Sequence, residues 1–261
     1  MERLGLIAGN GQFPLVLARQ ARRKGYFIAC CAVRGETDPA LEAAVDAFVW
    51  AEVWELEKLL HFFKSQGIRR AIMAGQVRKE RLFKESSIRA HLPSHIADRA
   101  LLGILVKSLK DIGVCLLDST QFLAEDLARK GSLSRRSPTP QEWKDIAFGT
   151  KVAKRVASFE IGQTVVVKHG VVLAIEALEG TDQAIRRGGA LGEAGAVVVK
   201  VARPRQDMRF DVPVVGPTTV EVLKAIHASV LAVQAGKTLF IEKEQLLASA
   251  DEAGLAVVGI R

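Results

Sequence analysis

Two carboxylates, Asp207 and Asp211, stand four positions apart, with Arg209 between them and Gln206 just before. Carboxylates at that spacing on a loop can share one hard cation, and a guanidinium beside them can take a phosphate oxygen. Phe210 sits among them, and Pro204, Pro213, Gly216 and Pro217 keep the stretch out of regular structure. Upstream, Val197, Val198, Val199 and Val201 predict a buried strand. Downstream, Thr218 or Thr219 can cap a helix that runs over 220–235, and its first N–H groups favour anions. The order is strand, charged loop, helix N-terminus. The loop is either a site for a metal and a phosphate or a surface turn with two solvated aspartates. The crowding of polar residues between two buried elements points to the site.

A second group of residues lies at the start of the chain. Gly9-Asn10-Gly11-Gln12-Phe13-Pro14 separates an apolar run, Leu4–Ala8, from a helix over 15–24, and Phe27–Val33 is a second strand. The glycines let a backbone approach a phosphate that the helix N-terminus then holds. The full dinucleotide fingerprint is missing, because Pro14 stands where its third glycine belongs. A further strand, Ile68–Met73, ends in another small-residue turn, Ala74-Gly75-Gln76-Val77. In open α/β sheets ligands sit outside the carboxyl ends of the strands. Two glycine turns at such ends suggest one shared nucleotide crevice, although glycines also serve many α/β folds merely to turn.

The elements that must carry these groups alternate as strand and helix through the 261 residues. Between the two groups a helix is expected over 53–66 and another over 96–112. A strand at 114–117 ends in Asp118-Ser119-Thr120, which either line a site or cap a helix from Gln121. Lys130–Pro140, rich in Ser, Pro and basic residues, is the clearest composition break, so the expected domains are 1–131 and 132–261. The second half begins with a helix over 140–159 and a hairpin, 164–168 and 171–177, turning at His169-Gly170. Glu179-Gly180-Thr181-Asp182 follows, with Thr181 or Asp182 as a helix cap, and Gly188, Gly189 and Gly192 form a stretch that could flex over a ligand. After the charged loop come a strand at 238–241, a helix over 243–253 and a last strand at 255–260. The expected fold is therefore two α/β domains. The first is Rossmann-like with a mostly parallel sheet, and the second is a mixed α/β domain with a hairpin.

Composition narrows the partners. Apolar residues make up 49% and charged residues 25%, which suffices for a large core. No apolar run approaches the ~20 residues of a membrane span, and the N-terminus lacks the pattern of a signal peptide, so the cytoplasm is the expected location. A net charge of +8 suits an anionic ligand or surface. With aromatics at 6% and no nucleic-acid-binding motif, nucleic acid is not expected. The basic amphipathic segment 78–89, with Arg78, Lys79, Arg81, Lys84 and Arg89, could lie on an anionic membrane or be an ordinary solvated face. Cys30, Cys31 and Cys115 lack metal-ligand spacing and read as small core residues. His91 and His95 have helical spacing, but Pro93 between them argues against a zinc pair. Carboxylate, Arg, Lys and glycine chemistry remains, the composition of a metal-assisted phosphate site.

The start Gly-Leu-Ile-Ala-Gly-Asn-Gly-Gln-Phe-Pro, the Ala-Gly-Gln-Val turn, Glu-Gly-Thr-Asp and Lys-x-x-x-Pro-x-Gln-Asp-x-Arg-Phe-Asp-x-Pro-x-x-Gly-Pro-x-Thr occur in that order. Together they resemble the UDP-2,3-diacylglucosamine pyrophosphatases of lipid A biosynthesis, in their two-domain form rather than the calcineurin-like form. The resemblance covers nearly the whole chain. It implies hydrolysis of UDP-2,3-diacylglucosamine to UMP and 2,3-diacylglucosamine 1-phosphate (lipid X), assisted by Mg²⁺. It also implies an N-terminal domain for the UDP part and a C-terminal domain for the lipid and the metal. On that basis Gly9, Asn10, Gly11, Gln12, Phe13, Pro14, Gly75 and Gln76 belong to the nucleotide side. Thr181, Asp182, Lys200, Gln206, Asp207, Arg209, Asp211 and Thr218 belong to the C-terminal site. Asp207 and Asp211 are the expected metal ligands, and Lys200 and Arg209 would neutralise charge on phosphoryl oxygens. A lipid substrate further implies peripheral contact with the cytoplasmic face of the inner membrane, and a homodimer is open. Two rivals stand beside this reading. One is a nicotinamide-dependent oxidoreductase with Glu36 or Asp38 on the ribose; the other is a non-catalytic nucleotide-sugar or lipid-binding regulator.

Overall fold

The computed structural model describes residues 1–78 and 98–261, which divide into two compact units. The membrane-approach segment beyond Arg78 and the His91–His95 pair lie outside the described residues. The first unit comprises 1–124 together with Asp207–Asp211, and the second comprises 125–206 and 212–261.

In the first unit, β1 (Arg3–Ala8) is followed by α1 (Phe13–Arg23), β2 (Phe27–Val33), β3 (Ala47–Ala51), α2 (Leu56–Ser65) and β4 (Arg70–Ala74). After these come α3 (Asp98–Asp111) and β5 (Cys115–Leu116). The strands form one parallel sheet in the order β3-β2-β1-β4-β5. Leu4, Leu6 and Ile28 are fully buried, as expected where helices cover both faces of a parallel sheet. Strand order reverses between β1 and β4, which is where a doubly wound sheet opens its crevice. Both glycine turns leave from these two strands. The segment after β5 forms no helix from Gln121. Instead, Asp118 Oδ1 accepts from Thr120 N (2.7 Å) and Thr120 Oγ1 (2.6 Å). Cys30 and Cys31 are core residues, but Cys115 on the short edge strand is exposed.

The second unit has a mixed sheet. Its strands are β6 (Gly131–Ser132), β7 (Thr164–Lys168), β8 (Val171–Ile175), β9 (Val197–Lys200), β11 (Val230–Gln234) and β13 (Ala256–Ile260), in the order β6-β13-β11-β9-β7-β8. The central β9, β11 and β13 are parallel, and the hairpin β7–β8 adds antiparallel strands at one side. A separate pair, β10 (Val214–Val215) and β12 (Leu239–Phe240), is also parallel. Alternate residues face two cores. Val165, Val167, Val197 and Val199 pack against α4 (Pro140–Ser158). Val166, Val198, Leu231 and Val233 pack against α5 (Thr181–Gly192), α6 (Pro217–Ala225) and α7 (Lys243–Glu252). A capping box starts α4, with Thr139 and Glu142 exchanging hydrogen bonds.

The basic, Pro-rich stretch after Lys130 is pinned to the sheet, since Ser132 pairs with Val258 and Arg136 donates to Ser229 O. Several expectations are corrected. The helix expected over 220–235 is two elements. α6 ends at Ala225, His227 takes a left-handed turn at φ 51°, and β-branched Val230 and Val233 enter the sheet centre as β11. No threonine caps α6, because the chain enters it through Gly216 and Pro217. Likewise Gly180, not Thr181 or Asp182, is the residue before α5. Gly188 and Gly189 are not a hinge. They lie within α5, where a Cβ would come within 2.7 Å of Val166 and 2.4 Å of Ile226, so they let the helix sit close on its neighbours.

Candidate active site

The first unit builds a double glycine turn. Gly9 N donates to Ala74 O and Asn10 N to Gln76 O, both at 2.8 Å, so the turn after β1 and the turn after β4 are hydrogen-bonded to each other. Gly75 is required there: its φ is 82°, and a Cβ would lie 2.5 Å from Asn10 O. Gly11 and Gln12 are exposed, whereas Phe13 and Pro14 are buried as the first residues of α1. No side chain caps α1 and no acid lies in its first turn, so its N-terminal N–H groups face the turn uncompensated.

A residue that the sequence placed in another role holds these turns. The Glu36 side chain is fully buried just beyond β2. It accepts from Asn10 Nδ2 (3.2 Å), Arg78 N (3.1 Å) and Arg78 Nε (2.9 Å). Arg78 Nη2 also donates to Gly35 O (2.8 Å), and Thr37 Oγ1 donates to Ala8 O (2.6 Å) at the end of β1. Glu36 therefore faces Asn10 and Arg78 instead of presenting a carboxylate to a ribose. In the sequence the only signal was an acid close after a buried strand.

Asp207–Asp211 belongs to this same unit. Asp211 N and Phe210 N both reach Asp207 O (3.1 and 3.3 Å), so the loop is one helical turn and its two aspartates stand one turn apart. Phe210 packs against the core around Phe63 and Leu116. Buried Ser119 holds the backbone: its N donates to Met208 O (2.9 Å) and its Oγ to Arg209 O (2.7 Å). This is the hydroxyl that sequence left between a site and a cap. Arg209 grips Asp207 with Nε on Oδ1 (2.9 Å) and Nη2 on Oδ2 (2.7 Å). These hydrogen bonds hold the Asp207 carboxyl below the usual carboxylate value against the opposing effect of burial, and they raise Arg209 in turn. Asp211 is half-buried. Among the described residues no group of three or more His, Cys, Asp and Glu side chains is placed to hold a metal.

The second unit gathers Lys200, Thr181 and Asp182 at the start of α5. Lys200, the last residue of β9, is only 7% exposed. Its Nζ donates to Thr181 Oγ1 (2.9 Å), which donates to Glu176 Oε1 (2.9 Å); Glu176 Oε2 accepts from Gln163 N (3.1 Å). Asp182 Oδ1 accepts from Thr219 Oγ1 (2.9 Å), while Thr218 is exposed. A buried ammonium held by a neutral hydroxyl keeps most of its charge for an incoming anion. Gln206 also lies in this unit, where its Oε1 accepts from Arg203 N (2.7 Å) and closes the turn after Ala202. Glu176 carried no recognisable motif.

The model of the LpxI N-terminal domain matches residues 3–126, and that of the LpxI C-terminal domain matches 129–258. The UDP-2,3-diacylglucosamine pyrophosphatase LpxI of Caulobacter vibrioides is 31% identical over 276 residues, spanning 100% of this chain and 98% of that one. The chain belongs to the LpxI family. The two LpxI domain models meet between 126 and 129, whereas the compact units exchange the Asp207–Asp211 turn. Among solved structures, the leucoanthocyanidin reductase–NADPH complex of Vitis vinifera is 19% identical over 54% of this chain and 41% of that one. Its TM-score of 0.29 is too low to bear on fold or ligand.

Proposed function

We propose that this LpxI-family chain hydrolyses the pyrophosphate bond of UDP-2,3-diacylglucosamine, releasing UMP and 2,3-diacylglucosamine 1-phosphate in lipid A biosynthesis. The observation that carries the reading is its end-to-end likeness to the Caulobacter enzyme of that name. In the reaction a water oxygen bonds to phosphorus, the bridging P–O bond breaks, and the bridging oxygen leaves on the other phosphate. Attack at either phosphorus gives the same two products.

In this reading the double glycine turn and the α1 N-terminus take the phosphates of UDP, and Glu36 keeps the turns in register. Lys200 and Arg209 neutralise charge on phosphoryl oxygens, with Thr181 setting the direction of the Lys200 ammonium. Mg²⁺ is part of the proposal. Asp207 and Asp211 supply hard oxygens one helical turn apart, and Asp207 is held ionised, as ligation requires. These features fit a cation that keeps most of its waters and needs one or two carboxylates. Bound there, it would polarise a phosphoryl oxygen or acidify a water. Among the described residues no helix is long and apolar enough to cross a membrane. We place the chain in the cytoplasm, in peripheral contact with the membrane that holds its diacylated substrate.

The test is turnover by the purified protein with Mg²⁺ and with chelator, scoring UMP and lipid X. Release of both with metal supports the reading. Tight UDP binding without release under any metal would overturn it and favour a nucleotide-binding regulator.

A further inference from the structure

The outer face of α4 (Pro140–Ser158) continues into Phe159 and carries an ordered stripe. Lys144, Phe148, Lys151, Arg155 and Phe159 follow at spacings of four, three, four and four, so they form one row along the helix. All five are exposed, Phe159 to 74%. Trp143 is exposed on the neighbouring row at 43%. The inner face is fully used, since Ile146, Ala153 and Ala157 are buried against β7, β9 and β11.

The charges are sorted as sharply as the apolar groups. Asp145 is buried and accepts from His169 N (2.9 Å) and Gly170 N (2.7 Å) at the hairpin turn. Glu142 is taken by the capping box and by Arg136 (2.7 Å). Glu160, beyond the helix, is engaged as well. Among the described residues none of Lys144, Lys151 and Arg155 is ion-paired. Beside the row, Lys154 lines a cavity of about 350 Å³ with Arg203, Arg205 and Lys237, and no acid is among its lining residues. Over ~23 Å the row thus shows solvent three cations and two phenyl rings.

A solvated helix face has no use for exposed Phe and Trp side chains, and a rigid polyanion would pair with the cations but leave the rings in water. A bilayer surface takes both: phosphates meet the cations while the rings sink to the acyl boundary. We propose that the outer face of α4 is the surface through which this chain docks on an anionic phospholipid membrane. The proposal deepens the functional reading, because a diacylated substrate is held in such a membrane.

The experiment is co-sedimentation of the full chain, without substrate, with phosphatidylcholine vesicles and with vesicles that also contain phosphatidylglycerol. Wild type is expected to partition onto the anionic vesicles only. Partition should fall about 100-fold in Lys144→Ser/Lys151→Ser/Arg155→Ser, at roughly fivefold per cation. It should also fall in Phe148→Ser/Phe159→Ser, and both variants should turn over detergent-dispersed UDP-2,3-diacylglucosamine at the wild-type rate. Failure of wild type to bind anionic vesicles would overturn the proposal, as would undiminished binding by either variant. Retention on heparin without vesicle binding would overturn it too, showing that charge alone is used. Because vesicle binding is scored without substrate, a wild type that binds vesicles but lacks turnover supports this surface and counts only against the hydrolase reading.

Discussion

Arg78 Nε lies 2.9 Å from Glu36 Oε2, and the same carboxylate holds Asn10 of the opposite turn at 3.2 Å. One buried acid thus joins the residues after β1 to those after β4. Glu36→Gln keeps the shape but loses the charge-assisted bonds, worth about 1.5–3 kcal/mol each when buried. UMP affinity, read by titration calorimetry, is expected to weaken about tenfold or more, with KM raised and kcat nearly kept. A variant that melts earlier yet binds UMP like wild type would leave Glu36 a merely structural residue.

The glycines of the two turns are not equivalent. A methyl at Gly75 meets Asn10 O at 2.5 Å, whereas one at Gly11 meets nothing within 4 Å, although φ is positive at both. Gly75→Ala is expected to cost about 1–3 kcal/mol more than Gly11→Ala, because only it must push a backbone aside. Chemical denaturation of the two variants against wild type measures the difference.

Asp207 gives a pH prediction with a definite sign. Its folded carboxyl titrates below its unfolded value of about 3.9, chiefly through the Arg209 hydrogen bonds. The stability it contributes is therefore present above that value and lost as pH falls through the lower folded one. Between pH 7 and about 5 nothing should be lost from this pair, and the partly exposed partners limit its worth to about 1 kcal/mol or less. Carboxyl carbon NMR should show Asp207 still ionised at a pH where ordinary aspartates are half protonated. Asp207→Asn is expected to lower turnover by about 10²-fold or more while changing the melting temperature little.

Thr181 links Lys200 to Glu176 through one hydroxyl. Thr181→Val removes that link without changing volume, and Thr181→Ser restores it. Turnover is expected to fall about tenfold in the valine variant and to recover in the serine variant. Equal rates in all three would exclude a positioning role for the hydroxyl.

Much of this was legible in the sequence because local signals agreed with the fold. The run Leu4–Ala8, the glycine turns and the His169-Gly170 hairpin turn each specify their element by nearest-neighbour chemistry. Val230–Gln234 was missed because Val220–Ala225 before it is helical and His227 carries no mark of the left-handed turn that separates them. The glycines of α5 looked flexible because sequence does not show that Val166 and Ile226 press on them. Glu36 reads as a ribose carboxylate because its partners Asn10 and Arg78 are far off in sequence, and Glu176 lies outside every motif although its partner Thr181 is within one. The turn at 207–211 was read with its chain neighbours, yet Phe210 and Ser119 seat it in the first unit.

That last placement limits how such a gene could be rearranged. The polypeptide passes between its two units three times, after 124, after 206 and after 211. A break near residue 128, where the two family models meet, would leave the first piece without Asp207, Arg209 and Asp211. Fusions or exchanges at that seam would join folded bodies yet separate the acidic turn from its seat.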